Sequence, residues 1–315
     1  MSLVDISSVK TVCSIGGGPI GAGWAAFFLS KGFLVKAYIH SEEEKEDFRS
    51  MVDTAWISLE KLNDIDDINP NSIQIITNLE NAVQDVQFIQ ESAPENLTLK
   101  QELYAYLGNI VPSEVVICSS TSGLTMTEIQ ANCLTAERTV VAHPFNPPYL
   151  LPLVEIVGGE KTNSDAVIWS RNFYEHIGKA PLVMNKEIPG FVATRLQEAL
   201  WREALHMVAN DEATPEEIDK ALIYGPGPRM AIQGQCLAFH VACGEGGMAT
   251  NLDQFGPALK LPWTRLIAPE LTQKLRDAMV SGCNNMTKGR DFQNLVLERD
   301  KKIVKIMKIQ KMCGL

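Results

Sequence analysis

Short apolar runs recur through the first part of the chain: Val9–Ile15, Leu34–Ile39, Ser72–Ile76, Val86–Gln90, Val115–Cys118, Thr139–Ala142, Leu153–Val157 and Leu182–Met184. Each has the length of a strand. Between many of them lie stretches of helix length, among them Ala22–Ser30, Glu42–Leu62, Leu97–Ile110 and Asp165–Ile177. Runs that stay apolar on both sides of the chain, alternating with helices, predict a parallel sheet covered on both faces. The pattern changes after Pro189. Phe191–Asn210 is one helical repeat with Leu196, Leu200, Ala204 and Val208 along a face. Thr214-Pro215-Glu216-Glu217 then supplies a helix cap, a proline at the first helical position and a capping-box glutamate. No strand pattern follows. The expected fold class is α/β: a doubly wound sheet over residues 1–186, followed by an all-α domain over 187–315.

Composition agrees with a two-domain globular chain. It has 315 residues, 45% of them hydrophobic and 21% charged, which excludes a disordered or fibrous protein. The net charge of -10 argues against a nucleic-acid partner. Charge is uneven: residues 1–187 hold 12 basic against 24 acidic side chains, and residues 188–315 hold 16 against 14. The seven cysteines are scattered with no CxxC spacing, so free thiols in a reducing compartment are expected and no metal site. Thr11–Ser30 is uncharged and long enough to span a bilayer, but it contains five glycines and Pro19. With no signal-peptide pattern ahead of it, neither a membrane span nor a membrane partner is expected, and the cytoplasm is the expected location.

The first strand runs into Gly16-Gly17-Gly18-Pro19-Ile20-Gly21, a GxGxxG motif that opens an apolar helix. The first glycine permits the tight turn, the second lets the backbone approach a pyrophosphate, and the third lets the helix pack on the sheet. This context predicts a dinucleotide cofactor. The acid that usually holds the adenosine ribose, about 20 residues on, is missing. Its place is taken by Ile39, followed by His40, Ser41 and Glu42. No arginine replaces it, so NAD is the expectation with NADP left open. Glu42 is positioned to reach the ribose from the next turn, or to serve only as the acidic start of a helix.

Of five histidines, His176, His206 and His240 lie in helical patterns and are expected to be structural. His143 instead leaves a strand into Pro144-Phe145-Asn146-Pro147-Pro148, and Glu155 follows twelve residues later in another strand. An imidazole oriented by a carboxylate suits proton abstraction from an alcohol.

Taken in order, these blocks resemble the 3-hydroxyacyl-CoA dehydrogenase family. The matching residues are the Gly-rich turn, Ser119-Ser120-Thr121-Ser122, His143-Pro144-Phe145-Asn146-Pro147, Leu153-Val154-Glu155 and Pro189-Gly190-Phe191-Val192-Ala193-Thr194-Arg195-Leu196. The resemblance implies a Rossmann-type domain followed by a helical domain that forms a homodimer. It implies His143 as general base, Glu155 as its orienter, and Ser122 and Asn146 as hydrogen-bonding partners of the reacting oxygen or the nicotinamide region. Glu95 and Lys100 fall on cofactor-contacting positions. Thr194 stands where the family commonly has asparagine, which leaves its substrate contact open.

Four further stretches are similar to a branch of the family that acts on small hydroxy acids: Leu200–His206, Tyr224–Arg229, Gly244–Met248 and Phe255–Trp263. Residues 41–70 carry ten acids against three bases, a surface that would repel the phosphates of CoA and attract a small cation. Phe191, Trp201 and Trp263 are candidates for an aromatic cage around a quaternary ammonium, and Arg195 and Arg229 for a carboxylate clamp. A 3-hydroxyacyl-CoA substrate, a gulonate-like sugar acid, and a non-catalytic crystallin-like role are the alternatives. The lysine-rich stretch Lys301–Lys311 is expected to be a terminal helix.

Overall fold

The computed structural model describes residues 2–62, 65, 67–231, 234–243, 245, 247–257, 261, 264–265, 270, 272–275, 277–278, 280 and 291–312. The chain divides into two compact units, Met1–Thr194 and Arg195–Leu315.

The first unit is built on one eight-stranded sheet: β1 (Thr11–Ile15), β2 (Leu34–Tyr38), β3 (Gln74–Ile76), β4 (Phe88–Glu91), β5 (Val116–Ser119), β6 (Thr139–Pro144), β7 (Leu153–Gly158) and β8 (Ala180–Val183). Their order across the sheet is β3-β2-β1-β4-β5-β6-β7-β8. The first six follow the order of a dinucleotide-binding sheet, which reverses between β1 and β4 and opens a crevice at their carboxyl ends. All neighbours are parallel except β6 and β7. That pair corrects the expectation of a purely parallel sheet. The link between them, residues 145–152, is shorter than the dozen or so residues a parallel crossover needs, so the chain turns back beside itself.

The helices of this unit are α1 (Pro19–Ser30), α2 (Lys45–Leu59), α3 (Leu79–Val83), α4 (Leu97–Ile110), α5 (Met126–Ile129) and α6 (Ser164–His176). Strand alternation sends β4 side chains to two different cores. Phe88 enters an aromatic cluster with Phe28, Trp169, Phe173 and Tyr174. Ile89 faces the other way, into an aliphatic core with Tyr104, Leu107, Met126 and Ile129. Both are fully buried. Truncating Phe88 to alanine would cost about 3–5 kcal/mol on the usual scale for buried aromatics.

The second unit begins within α7 (Ala193–Ala209) and continues through α8 (Pro215–Tyr224), α9 (Gly227–Met230), α10 (Gln235–Ala242) and α11 (Gly247–Phe255) to a long C-terminal helix, Phe292–Met312. No strand occurs among its described residues. Thr214 and Glu217 form the expected capping box, with Pro215 in the first turn. Leu205, Val208 and Leu275 make a small core. On the same helical face Leu196 and Leu200 remain exposed, at 66% and 49%.

Candidate active site

The turn predicted to hold a dinucleotide lies at the carboxyl end of β1. Gly16 has φ +128°, a conformation that L side chains rarely adopt, and a Cβ there would overlap the Ser92 carbonyl oxygen. Ser14 Oγ donates to the Gly21 carbonyl at 2.9 Å and ties the turn to its strand. Gly18 is the N-cap of α1, receives no side-chain cap, and has open space where its Cβ would be. Pro19 occupies the first turn, with Ile20 and Gly21 behind it. Uncapped N–H groups at the positive end of a twelve-residue helix, beside an open glycine, fit a pyrophosphate.

Farther along the same edge, the antiparallel register sets His143 directly opposite Glu155. Opposed residues of such a pair project to one face, which converts a separation of twelve residues into a contact. His143 Nδ1 lies 2.9 Å from Glu155 Oε2. The other carboxylate oxygen, Oε1, accepts from the N–H groups of Val192 and Ala193, both at 2.8 Å. Burial pushes the Glu155 carboxyl up, but hydrogen bonds from His143, Ala193 and Val192 outweigh it and hold it below its ordinary value. An ionised carboxylate can only accept, so it fixes the proton on Nδ1 and leaves Nε2 with its lone pair.

Glu95 and Lys100 flank the 91–95 loop, one half-exposed and the other buried. Lys100 is buried, with Nζ 2.6 Å from Glu91 Oε1 and 3.1 Å from the Ala93 carbonyl. It braces the 91–95 loop from within. Glu91, fully buried, also accepts from Ala93 N–H and Ser119 Oγ and faces the Tyr104 hydroxyl. Glu95 is half-exposed and clamps the next loop: its Oε1 accepts from Thr121 Oγ1 at 2.7 Å, Ser122 N–H at 3.0 Å and Gly123 N–H at 2.9 Å. Ser122 is exposed at this edge. Glu91 escaped the sequence reading. The only signal was a charge at the end of the strand.

Asn146 is exposed in the loop after His143. The loop is anchored by Lys179, whose buried Nζ donates to the carbonyls of Pro148 and Leu151 and lies over the rings of Phe27 and Trp24. Burial, with Lys31 nearby, holds Lys179 well below the usual lysine range. Phe191 is 1% exposed and packs 5.4 Å from the His143 ring, so it walls the imidazole. Thr194 is half-buried at the start of α7. In the second unit Arg195 and Trp201 are exposed on α7 and Arg229 on α9. Trp263 lies outside the described residues.

A dinucleotide turn and, three strands along the same edge, an imidazole with a fixed tautomer are the parts of a dehydrogenase that moves a hydride and a proton. The NAD binding domain model of 3-hydroxyacyl-CoA dehydrogenase matches residues 11–188, and the C-terminal domain model of the same enzyme matches residues 190–282. The chain belongs to the 3-hydroxyacyl-CoA dehydrogenase family and is an NAD-dependent 3-hydroxy acid dehydrogenase.

Two curated relatives are L-carnitine dehydrogenases. That of Streptomyces coelicolor is 50% identical over 301 residues, covering 96% of this chain and 95% of that protein. That of Bacillus cereus is 43% identical over 303 residues, covering 96% and 93%. Among solved structures, 5-formyl-3-hydroxy-2-methylpyridine 4-carboxylic acid 5-dehydrogenase, an NAD+-dependent dismutase, aligns with TM-score 0.80 and 26% identity over 96% of this chain and 99% of that one. The 3-hydroxybutyryl-CoA dehydrogenase of Escherichia coli K12 shares the fold, at TM-score 0.64 and 24% identity over 87% of this chain and 57% of that one. No helix among the described residues is long and apolar enough to cross a membrane.

Proposed function

We propose that the substrate is L-carnitine, oxidised at its 3-hydroxyl to 3-dehydrocarnitine. The observation that carries this reading is the 43–50% identity to L-carnitine dehydrogenases over nearly the whole chain. The ten acids against three bases of residues 41–70 add to it, because they favour a small cation over a polyphosphate.

His143 takes the hydroxyl proton on Nε2 as the base. Glu155 is a positioning residue that holds the ring and stabilises the imidazolium. Ser122 and Asn146 hydrogen-bond the oxygen as the C–O bond becomes C=O. Bound NAD supplies the acceptor for the hydride that leaves carbon 3. Residues 1–186 bind the dinucleotide, with Glu95 keeping the Ser122 loop in place. Residues 187–315 supply substrate contacts and pair with a second copy to form a homodimer. Supporting the dimer are the exposed apolar side chains Leu196, Leu200, Trp201, Leu237 and Phe239 on α7 and α10. Thr194, Arg195, Arg229 and Trp201 remain the substrate-contact candidates. A cytoplasmic setting fits the described cysteines, all of which are free.

The test follows nicotinamide absorbance with NAD and either L-carnitine or 3-hydroxybutyryl-CoA. Turnover of the first with none of the second is expected. The reverse result would remove carnitine as the substrate.

A further inference from the structure

The acid missing at the end of β2 has a successor that sequence spacing does not identify. Ile39, at the expected position, is fully buried and apolar. Beyond it the chain makes a short 3-10 turn, Glu42–Glu44, before α2 begins. Three residues per turn separate the side chains of Glu42 and Glu44 by about 240° around the turn, so the two carboxylates face different surroundings. Glu42 turns to Lys45 Nζ and Thr77 Oγ1, both at 3.3 Å. Glu43 is exposed. Glu44 alone turns back onto the Gly-rich loop. Its Oε2 accepts from His40 N–H at 3.4 Å and sits so close to Gly17 that a Cβ there would overlap it. The same imagined Cβ would meet Ile39 Cγ2 at 3.5 Å, which places the carboxylate beside the vacated strand-end position.

We infer that Glu44 selects the cofactor, its carboxylate accepting hydrogen bonds from the adenosine ribose hydroxyls and repelling a 2′-phosphate. Three features converge on this. The pyrophosphate turn is intact, with Gly18 open to solvent. The ribose must lie on the β2 side of that turn, where the usual acid would stand. The carboxylate that lies against Gly17 is that of Glu44. Vicinal hydroxyls donate to a carboxylate, whereas a phosphate brought against it adds like charge in a partly buried setting. Glycine at position 17 is then required by the acid, since any side chain would push Glu44 aside.

The inference rests on NAD as cofactor and not on the identity of the hydroxy acid, so binding is measured without substrate. Dissociation constants of NADH and NADPH are obtained by calorimetry for the full-length protein and for Glu44→Gln, Glu42→Gln and Gly17→Ala. The parent should prefer NADH by at least about 100-fold, and Glu44→Gln should weaken NADH about 10–100-fold while narrowing the gap to NADPH. Gly17→Ala should move the ratio the same way, and Glu42→Gln should leave it in place. Thermal midpoints of each variant separate misfolding from lost recognition. An unchanged NADH-to-NADPH ratio in Glu44→Gln overturns the inference. So does a shift in Glu42→Gln as large as that in Glu44→Gln, because the acidic field of the segment would then be the cause.

Discussion

Replacing Glu155 by glutamine tests the imidazole mechanism more sharply than removing the imidazole, because the surroundings dictate how the new amide must sit. Two N–H donors, from Val192 and Ala193, point at the Oε1 position from 2.8 Å. An amide placed there turns its oxygen toward them, since its NH2 would otherwise face two donors. That choice sends the NH2 toward His143 Nδ1, which must then accept, and the ring proton moves to Nε2. The base is then in the wrong tautomer. The expected loss in kcat is about 10²–10⁴-fold, the span usual for a positioned general base. Glu155→Ala leaves the tautomer free but strands two backbone donors, each worth about 1–3 kcal/mol when buried without a partner. Glutamine should therefore be worse for kcat and alanine worse for stability. The assay pairs steady-state turnover of L-carnitine under NAD with the urea midpoint of each variant. If Glu155→Gln turns over at the parental rate, or Glu155→Ala is the slower of the two, the tautomer argument fails.

Four other outcomes are expected. Because the Glu155 carboxyl is held low in the folded state, its stabilising effect is present above the ordinary carboxyl pKa of about 4.3 and lost as pH falls through the lower folded value. The stability gap between the parent and Glu155→Gln should close in acid, and a gap that stays constant with pH would contradict the assignment. Lys179 titrates lower folded than unfolded, so stability should rise with pH between the two values, and urea midpoints of Lys179→Met should lack that rise. Arg138 is buried and donates to the carbonyls of Leu107, Val111, Pro112 and Val115 around the end of α4. Arg138→Met should cost about 2–4 kcal/mol in urea unfolding with kcat unchanged. Burial pushes the Cys13 and Cys118 thiols up to about 12, so a thiol reagent should label exposed Cys236 in the native protein and reach those two only after denaturation.

Much of the frame was legible in the sequence because it depends on local pattern. Each of the eight apolar runs overlaps an observed strand, and Leu97–Ile110 forms the helix its spacing predicts. The His143–Glu155 pairing was accessible only as a spacing, because opposition in register requires the hairpin that the short 145–152 link imposes. Three features escaped for reasons of phase and environment. Glu42 and Glu44 are equivalent in composition, and only the pitch of the 3-10 turn separates their surroundings. Lys100 is placed by resemblance on a cofactor-contacting position, and nothing in the spacing shows that Glu91, nine residues away, is its buried partner. Phe191 reads as a ligand face, yet its placement behind His143 depends on a backbone φ of +49°, which periodicity does not predict.

Three carboxylates along this edge of the sheet are held in place by donors from the chain itself. Glu91 is held by Lys100, Ser119 and Ala93, Glu95 by the 121–123 loop, and Glu155 by His143, Val192 and Ala193. For Glu155 these donors hold the carboxyl below its ordinary value, so it has little affinity for another proton. In the mechanism we propose, this decides where the substrate proton rests. As Nε2 takes it, the imidazolium faces an anion that stabilises its charge but is itself a poor base, so the proton stays on the ring and is not relayed. On that proposal, the Val192 and Ala193 N–H groups that lower Glu155 keep His143 as the acid for the reverse reaction. Because these dipoles are fixed before substrate arrives, little reorganisation is needed as charge develops.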